Sequence, residues 1–342
     1  MILLDSLYIN NSGGKVLLDY LVQEVEKSGM EVFYLFDDRC KSDYQNIPAD
    51  RKIYLKASLW KRHLFYKKNG HLFSKVFCFG NLAPSVKLKV PVYTYFHQRL
   101  FIEAADHFNI KECIIFKVKS YMFRFLSGNT DTMMVQTGSV KASLNRTVPA
   151  LTPDRIVVLP FYPPLRYPVV TKEKNTFIYV SGGSAHKNHQ ILLDAFVQFY
   201  DQHTTGKLIL TVPESSGALY EKIAMLQNRG YPIDNLGFIS HDELGMHYAK
   251  AAYSVYPSTS ESFGLGILEA LEGGCKIMGS DMEYLHAVCV PSLTFDPDDV
   301  LSVKQSFEYA VFSDRKETKQ IVRNEIDRLI QLLKEQTDEN PK

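Results

Sequence analysis

The segment Pro257-Ser-Thr-Ser-Glu261-Ser-Phe-Gly264-Leu-Gly266-Ile-Leu-Glu269-Ala-Leu-Glu-Gly-Gly274 is where the architecture is most legible. The apolar run Tyr253–Pro257 has strand character and stops at a proline. A polar turn follows, and from Gly264 onward Leu265, Leu268 and Leu271 recur at helical spacing. Strand, turn and helix in this order place the helix N-terminus in the crevice beyond the strand ends. Unpaired backbone N–H groups and the helix dipole favour a phosphate there, and Gly264 and Gly266 permit close approach. Glu261 sits in the turn and Glu269, eight residues later, lies inside the helix, so both can reach one ligand at different points. The same spacing also fits two solvated glutamates ahead of a C-cap at Gly273-Gly274.

Outward from this segment, strand-like and amphipathic helical runs alternate. Strands are predicted at Thr176–Ser181, Lys207–Val212, Asn235–Ser240, Tyr253–Pro257, Cys275–Gly279 and Leu293–Phe295. Helices are predicted at Asn188–His203, Gly217–Arg229, His241–Ala251 and Leu265–Glu272. A repeated βα pattern implies a parallel, doubly wound sheet. The first half repeats it less regularly, with strands near Ile2–Leu4, Glu31–Phe36, Lys52–Leu55, Val76–Phe79, Val92–Phe96, Met133–Gln136 and Ile156–Leu159. Its helices fall near Lys15–Lys27, Lys111–Leu126 and Ser139–Asn145. Prolines and charges from Pro160 to Lys174 mark a linker, dividing the chain into α/β domains at 1–165 and 166–342. A last helix is expected from Lys316 to Glu335, with Ile321, Ile326, Leu329 and Leu332 on one stripe; it can pack back on the first domain.

At 342 residues, 45% hydrophobic and 23% charged, the chain is long enough for two cores, and its composition excludes disordered and fibrous classes. Five scattered cysteines, at 40, 78, 113, 275 and 289, suggest neither a disulfide framework nor a zinc site. With no leader-like N-terminus and no long apolar stretch, a cytoplasmic chain is expected. Residues 1–165 carry 22 Lys and Arg against 14 Asp and Glu, whereas residues 166–342 carry 17 against 24. A basic half is compatible with nucleic acid, anionic lipid, a phosphorylated substrate or an acidic partner domain.

Three further segments flank the first in a fixed order: Tyr179-Val-Ser-Gly182-Gly183-Ser-Ala-His186-Lys187-Asn188-His189, Leu236-Gly-Phe-Ile-Ser240-His-Asp-Glu-Leu244 and Ser280-Asp-Met-Glu-Tyr-Leu-His-Ala-Val288. Together with Glu261-x7-Glu269 they resemble the signature segments of the retaining glycosyltransferases of family 4, strongly over residues 176–300 and weakly in the first half. The resemblance implies a GT-B fold, two Rossmann-like domains facing a cleft, with a nucleotide-sugar donor on the C-terminal domain and an acceptor on the N-terminal one. Glu261 is then expected to contact the donor sugar. The amides of Ser262, Phe263, Gly264 and Leu265 would cradle the diphosphate, and Glu269 would accept hydrogen bonds from both ribose hydroxyls. Lys187 would balance charge on the departing nucleoside diphosphate, beside Gly183 of the glycine-rich turn. Many family members carry an arginine after this strand, where this sequence has Ser181-Gly182-Gly183-Ser184.

In the first half, Ile9-Asn-Asn-Ser12-Gly13-Gly14-Lys15 resembles the family's first loop, and Gly13 and Gly14 are expected beside the donor phosphate. A tight turn without a ligand fits the same residues, and the third glycine of a dinucleotide fingerprint is missing. His97, ending the run Val90–Phe96, resembles the family's histidine near the reacting sugar; a hydrogen-bonded structural histidine is the alternative. Lys111–Leu126 mixes apolar and basic residues, as does Arg51–Lys75 with Trp60-Lys-Arg-His63. Both suit peripheral contact with anionic membrane, and equally core packing with solvated lysines. Asp296-Pro-Asp298-Asp299 contains an Asp-x-Asp triplet of the kind that holds a divalent metal in other glycosyltransferases, but after the last predicted strand it reads as a helix cap; no metal site and no cofactor are expected, the nucleotide sugar being a substrate.

The expected activity is hexosyl or N-acetylhexosaminyl transfer, retaining and metal-independent, onto a glycan acceptor, lipid-linked, in bacterial O-antigen or capsule assembly. The alternatives are a soluble-acceptor transferase or phosphorylase, and a nucleotide-sugar-binding subunit without turnover. Nucleic acid is not an expected partner.

Overall fold

The computed structural model describes residues 1–102, 110–313 and 316–335. The chain forms two compact units, one comprising Met1–Pro163 with the segment from Arg323 onward, the other Pro164–Val322.

The first unit holds strands β1 (Ile2–Asp5), β2 (Val32–Asp37), β3 (Lys52–Leu55), β4 (Lys75–Cys78), β5 (Val92–Phe96), β6 (Thr132–Val135) and β7 (Ile156–Val158). They form a parallel sheet in the order β3-β2-β1-β4-β5-β6-β7. Its helices are α1 (Ser12–Lys27), α2 (Leu59–Asn69), α3 (Ile110–Leu126) and α4 (Gly138–Thr147). The order reverses between β1 and β4, so the ends of these two strands and of β5 flank the crevice in which such sheets bind ligands. Phe65 and Tyr66 of α2 pack on Leu3, Leu35 and Val76, while Phe123 of α3 packs on Phe96, Met133 and Val135.

The second unit holds β8 (Glu173–Tyr179), α5 (His189–His203), β9 (Lys207–Leu210), α6 (Ala218–Asn228), β10 (Ile233–Asn235), α7 (His241–Lys250), β11 (Ala251–Tyr256) and α8 (Leu265–Glu272). There follow β12 (Lys276–Ser280), α9 (Glu283–Val288), β13 (Cys289–Val290), β14 (Leu293–Phe295), α10 (Val300–Phe312) and β15 (Lys319–Gln320). The main sheet is parallel in the order β10-β9-β8-β11-β12-β14. Its core is aromatic, Phe307 of α10 standing edge-on to Phe177 of β8 at 4.7 Å.

Two sequence expectations need correction. The strand expected over Asn235–Ser240 ends at Asn235. Gly237 takes φ +64, Phe238 is exposed, and Ser240 begins α7 with a capping box to Glu243. The helix expected from Lys316 is confined to α11 (Ile326–Lys334), because β15 pairs antiparallel with β13 and keeps that stretch extended. Ile321 is therefore exposed rather than on the buried stripe, and Ile326, Leu329 and Leu333 form the inner face. This helix belongs to the first unit, where it packs on α1. Lys75 Nζ donates to the carbonyls of Leu332, Leu333 and Glu335, so a buried cation takes up the carbonyls at the C-terminal end of α11.

Candidate functional site

In the second unit, the loops following β8 and β11 are joined at the C-terminal ends of these paired strands. Thr259 N–H donates to His186 O at 2.9 Å, and the Tyr179 hydroxyl donates to Lys187 O at 3.0 Å. The Tyr284 hydroxyl donates to Ser258 O at 2.9 Å. Asn188 adopts the left-handed conformation (φ +56) and its side chain donates to Pro297 O, which anchors the lysine loop from the other side. These bonds set Lys187 Nζ 2.6 Å from Glu261 Oε1, and Ser258 Oγ donates to the same oxygen at 2.7 Å. Ser258 Oγ also meets the Tyr179 hydroxyl at 2.8 Å.

The helix α8 starts at Gly264, whose φ of +73 suits glycine and where a Cβ would come within 2.7 Å of Ile267 Cδ1. Its first turn presents the amides of Leu265 and Gly266, groups without helical acceptors in any helix. Phe263 is buried and anchors the turn, while Ser262 and Leu265 remain half-exposed. Glu269 is buried within α8, yet its Oε1 lies 3.2 Å from Nε2 of the half-exposed His241 at the start of α7. A buried carboxylate with one side-chain partner keeps acceptor capacity for a further polar ligand. Gly183 owes its identity to packing, since a Cβ there would come within 2.5 Å of Ser216 Oγ.

In the first unit, His97 ends β5. Its backbone N–H donates to Asn81 Oδ1 at 2.7 Å, Nε2 lies 3.1 Å from Phe79 O, and its ring stacks on Phe79. The bond to a carbonyl assigns the proton to Nε2, and burial pushes the imidazole down to about 4, so His97 is neutral near pH 7. A Cβ on Gly14 would lie 3.2 Å from His97 Cε1, whereas one on Gly13 would meet nothing within 4 Å. Gly14 and His97 are thus brought together, and Gly13 is not constrained by space.

Lys187, Glu261, Ser262, Phe263, Gly264, Leu265 and Glu269 accordingly gather at one end of the second sheet. Sequence reading missed His241, Ser258, Tyr179 and Tyr284 as members of this network, although each lies inside a quoted motif. Their hydroxyl and imidazole groups carry no spacing signal and acquire partners only through the fold. Asp299 caps α10 by accepting from Leu301 N–H, and Asp296 Oδ1 accepts from Asp298 N–H, as expected of a cap. Arg62, counted in sequence with the basic surface of Arg51–Lys75, instead turns inward. It is buried with Nε 2.7 Å from Asp5 Oδ2, and Tyr66 also donates to that oxygen. Cys40, Cys78, Cys275 and Cys289 are buried free thiols.

Residues 167–323 match the family model described as glycosyl transferases group 1. A stretch of 127 residues is 32% identical to the O-antigen chain mannosyltransferase B of Escherichia coli, covering 36% of this chain and 33% of that protein. The match therefore spans about a third of this relative's length. Among solved structures, a sucrose-phosphate synthase from Thermosynechococcus elongatus superposes with a TM-score of 0.67 at 17% identity, over 90% of this chain and 88% of its own. HepE from Anabaena, in complex with UDP and glucose, gives 0.63 at 12% identity over 91% and 89%. The fold is GT-B, with two parallel-sheet Rossmann-like domains.

Proposed function

We propose that this chain is a retaining, metal-independent glycosyltransferase. It would move a hexosyl or N-acetylhexosaminyl group from a nucleotide sugar to a hydroxyl of a lipid-linked glycan acceptor in bacterial O-antigen or capsule assembly. The observation that carries the reading is the Lys187–Glu261 ion pair in the loops ahead of the amide-bearing start of α8, with the buried Glu269 inside the same helix, within the stretch that matches the group 1 family. The complex of HepE with UDP and glucose supports a nucleotide-sugar donor, and the E. coli mannosyltransferase supports a glycan acceptor.

In this reading Glu269 takes the ribose hydroxyls, the amides from Ser262 to Leu265 take the diphosphate, and Glu261 orients the sugar. Gly183, in the turn ahead of Lys187, completes the donor contacts of this unit. The bond from the anomeric carbon to the diphosphate oxygen breaks as the bond to the acceptor oxygen forms on the same face. The acceptor proton passes to the departing phosphate oxygen. Lys187 and the helix amides supply positive charge as the diphosphate leaves, which is how a donor site works without a metal.

The test is a thermal-shift panel of nucleoside diphosphates, followed by transfer assays with the nucleotide sugars of the base that binds. One nucleotide is expected to stabilise the fold, transfer to continue in excess chelator, and the product to keep the donor's anomeric configuration by NMR. Failure of every nucleotide to bind or react would overturn the reading, an inverted product would overturn retention, and loss of transfer in chelator would overturn metal independence.

A further inference from the structure

The helix α3 is apolar on two opposite faces. Its inner side chains Phe123 and Leu126 are buried. On the outer side Ile114, Val118, Tyr121 and Phe125 follow one another at steps of four, three and four residues, and they are 58%, 55%, 72% and 73% exposed. Those steps align them in one narrow stripe along the helix. A helix packed on a sheet and open to water on its other side ordinarily presents charged residues there. Here Lys117, Lys119 and Arg124 are exposed beside the apolar stripe instead of replacing it.

The helix α2 repeats the arrangement. Trp60 is 68% and Leu64 46% exposed one turn apart, alongside exposed Lys61, Lys67 and Lys68. Both helices cover the same face of the first sheet. Alternation along parallel strands sets Val76 and Cys78 on one side, and register carries that side through Val92 and Thr94 to Phe96, then to Met133 and Val135. The residues of α2 pack on the first of these and Phe123 of α3 on the last. Charge here is predominantly of one sign: residues 51–102 contain eleven Lys and Arg and no Asp or Glu, of which Arg62 and Lys75 are buried, and α3 adds four Lys and Arg against the single Glu112.

We propose that the outer faces of α2 and α3 form one docking surface for an anionic lipid bilayer, with Trp60, Val118, Tyr121 and Phe125 entering the interface and the flanking lysines and arginine meeting the headgroups. Exposed apolar side chains within a basic surround are the combination by which a helix lies in the plane of such a membrane. No helix among the described residues is long and apolar enough to cross it. Self-association through this face would oppose like charges, which favours an anionic partner over a second copy. The surface stands independently of the glycosyl-transfer reading.

The test uses the full chain and co-sedimentation with phosphatidylglycerol-containing and pure phosphatidylcholine vesicles at low and high salt, without donor or acceptor, so that its failure leaves the transfer reading untouched. Binding is expected only to the anionic vesicles and to weaken with salt. It should fall about a hundredfold when Lys117, Lys119 and Arg124 are all changed to Gln, at roughly 1 kcal/mol for each charge. The variant V118S/Y121S/F125S should also lose binding while keeping the wild-type circular dichroism spectrum. Trp60 is the only tryptophan, so its emission should shift to the blue on binding. Absence of binding at low salt, undiminished binding by either triple variant, an unshifted Trp60 emission, or a self-association that V118S/Y121S/F125S abolishes would each overturn the proposal.

Discussion

Lys187 and Glu261, 74 residues apart in the chain, are ion-paired at 2.6 Å through Nζ and Oε1. Neither side chain is more than a quarter exposed, so the pair is partly shielded from water. The sugar-side carboxylate and the phosphate-side cation of the proposed mechanism are thus each other's partners before any donor arrives, and Ser258 steadies the carboxylate oxygen that both share. In the proposed mechanism a diphosphate entering at α8 would compete with Glu261 for this lysine.

Charge on the leaving diphosphate grows toward the transition state, so loss of Lys187 should act on turnover. Lys187→Ala is expected to lower kcat by about tenfold to a thousandfold. Steady-state kinetics showing only a raised donor KM at full kcat would make Lys187 a ground-state contact.

Glu269 is buried and keeps acceptor capacity beyond its contact with His241. Glu269→Ala should weaken nucleoside diphosphate binding by about 1–3 kcal/mol, the range for charge-assisted hydrogen bonds. Calorimetry with the preferred nucleotide measures this, and unchanged affinity would remove Glu269 from the donor site.

The Asp5–Arg62 pair lies almost entirely out of water, and Arg62 also donates to the carbonyls of Leu82 and Ala83. Arg62→Ala would strand a buried carboxylate, at a cost of about 3–5 kcal/mol. Urea unfolding at neutral pH should show a correspondingly lower midpoint; a shift under about 1 kcal/mol would mean that Asp5 finds water or another partner.

Acid should destabilise the fold through two histidines. Burial pushes both His97 and His189 down to about 4 from an ordinary 6.5, the nearby Lys187 adding to the effect at His189. As pH falls below 6.5 the unfolded chain takes up protons that the native one refuses until about 4, so stability contributed by the neutral rings is lost across that window. At pH 5 the loss is about 2 kcal/mol per histidine relative to pH 7.5. Urea midpoints across this range should decline more shallowly for His189→Gln, and equal slopes for variant and wild type would refute its share.

Much of the second unit is legible in the sequence because its signals are local. The runs Lys207–Leu210 and Leu293–Phe295 lie between turn residues, and α5 keeps Leu192, Ala195, Phe196 and Phe199 on the buried stripe that their spacing indicates. The start of α8 at the end of the Glu261 turn is equally local, since Gly264 both ends the turn and tolerates a positive φ. Where local signals compete, the reading fails. Apolar residues at helical spacing from Lys316 suggested one long helix, but the pairing of β15 with β13 holds Lys319 and Gln320 extended. Asn324 then accepts from Ile326 N–H just ahead of α11.

The alternation of strands and helices, the parallel α/β class, the positions of Glu261, Lys187 and His97 beside strand and helix ends and that of Glu269 inside α8 are all written in local pattern. Periodicity and turn chemistry are properties of neighbouring residues. Partners come from packing across the whole unit. Packing paired Lys187 with Glu261, turned Arg62 inward to Asp5, 57 residues away, and set Lys75 at the end of α11, 257 and more residues downstream. It also decided that α3 buries Phe123 and leaves Tyr121 and Phe125 in the open, which composition cannot distinguish because both faces are apolar. Such contacts depend on which surfaces packing brings together, and that follows from burial across the whole unit.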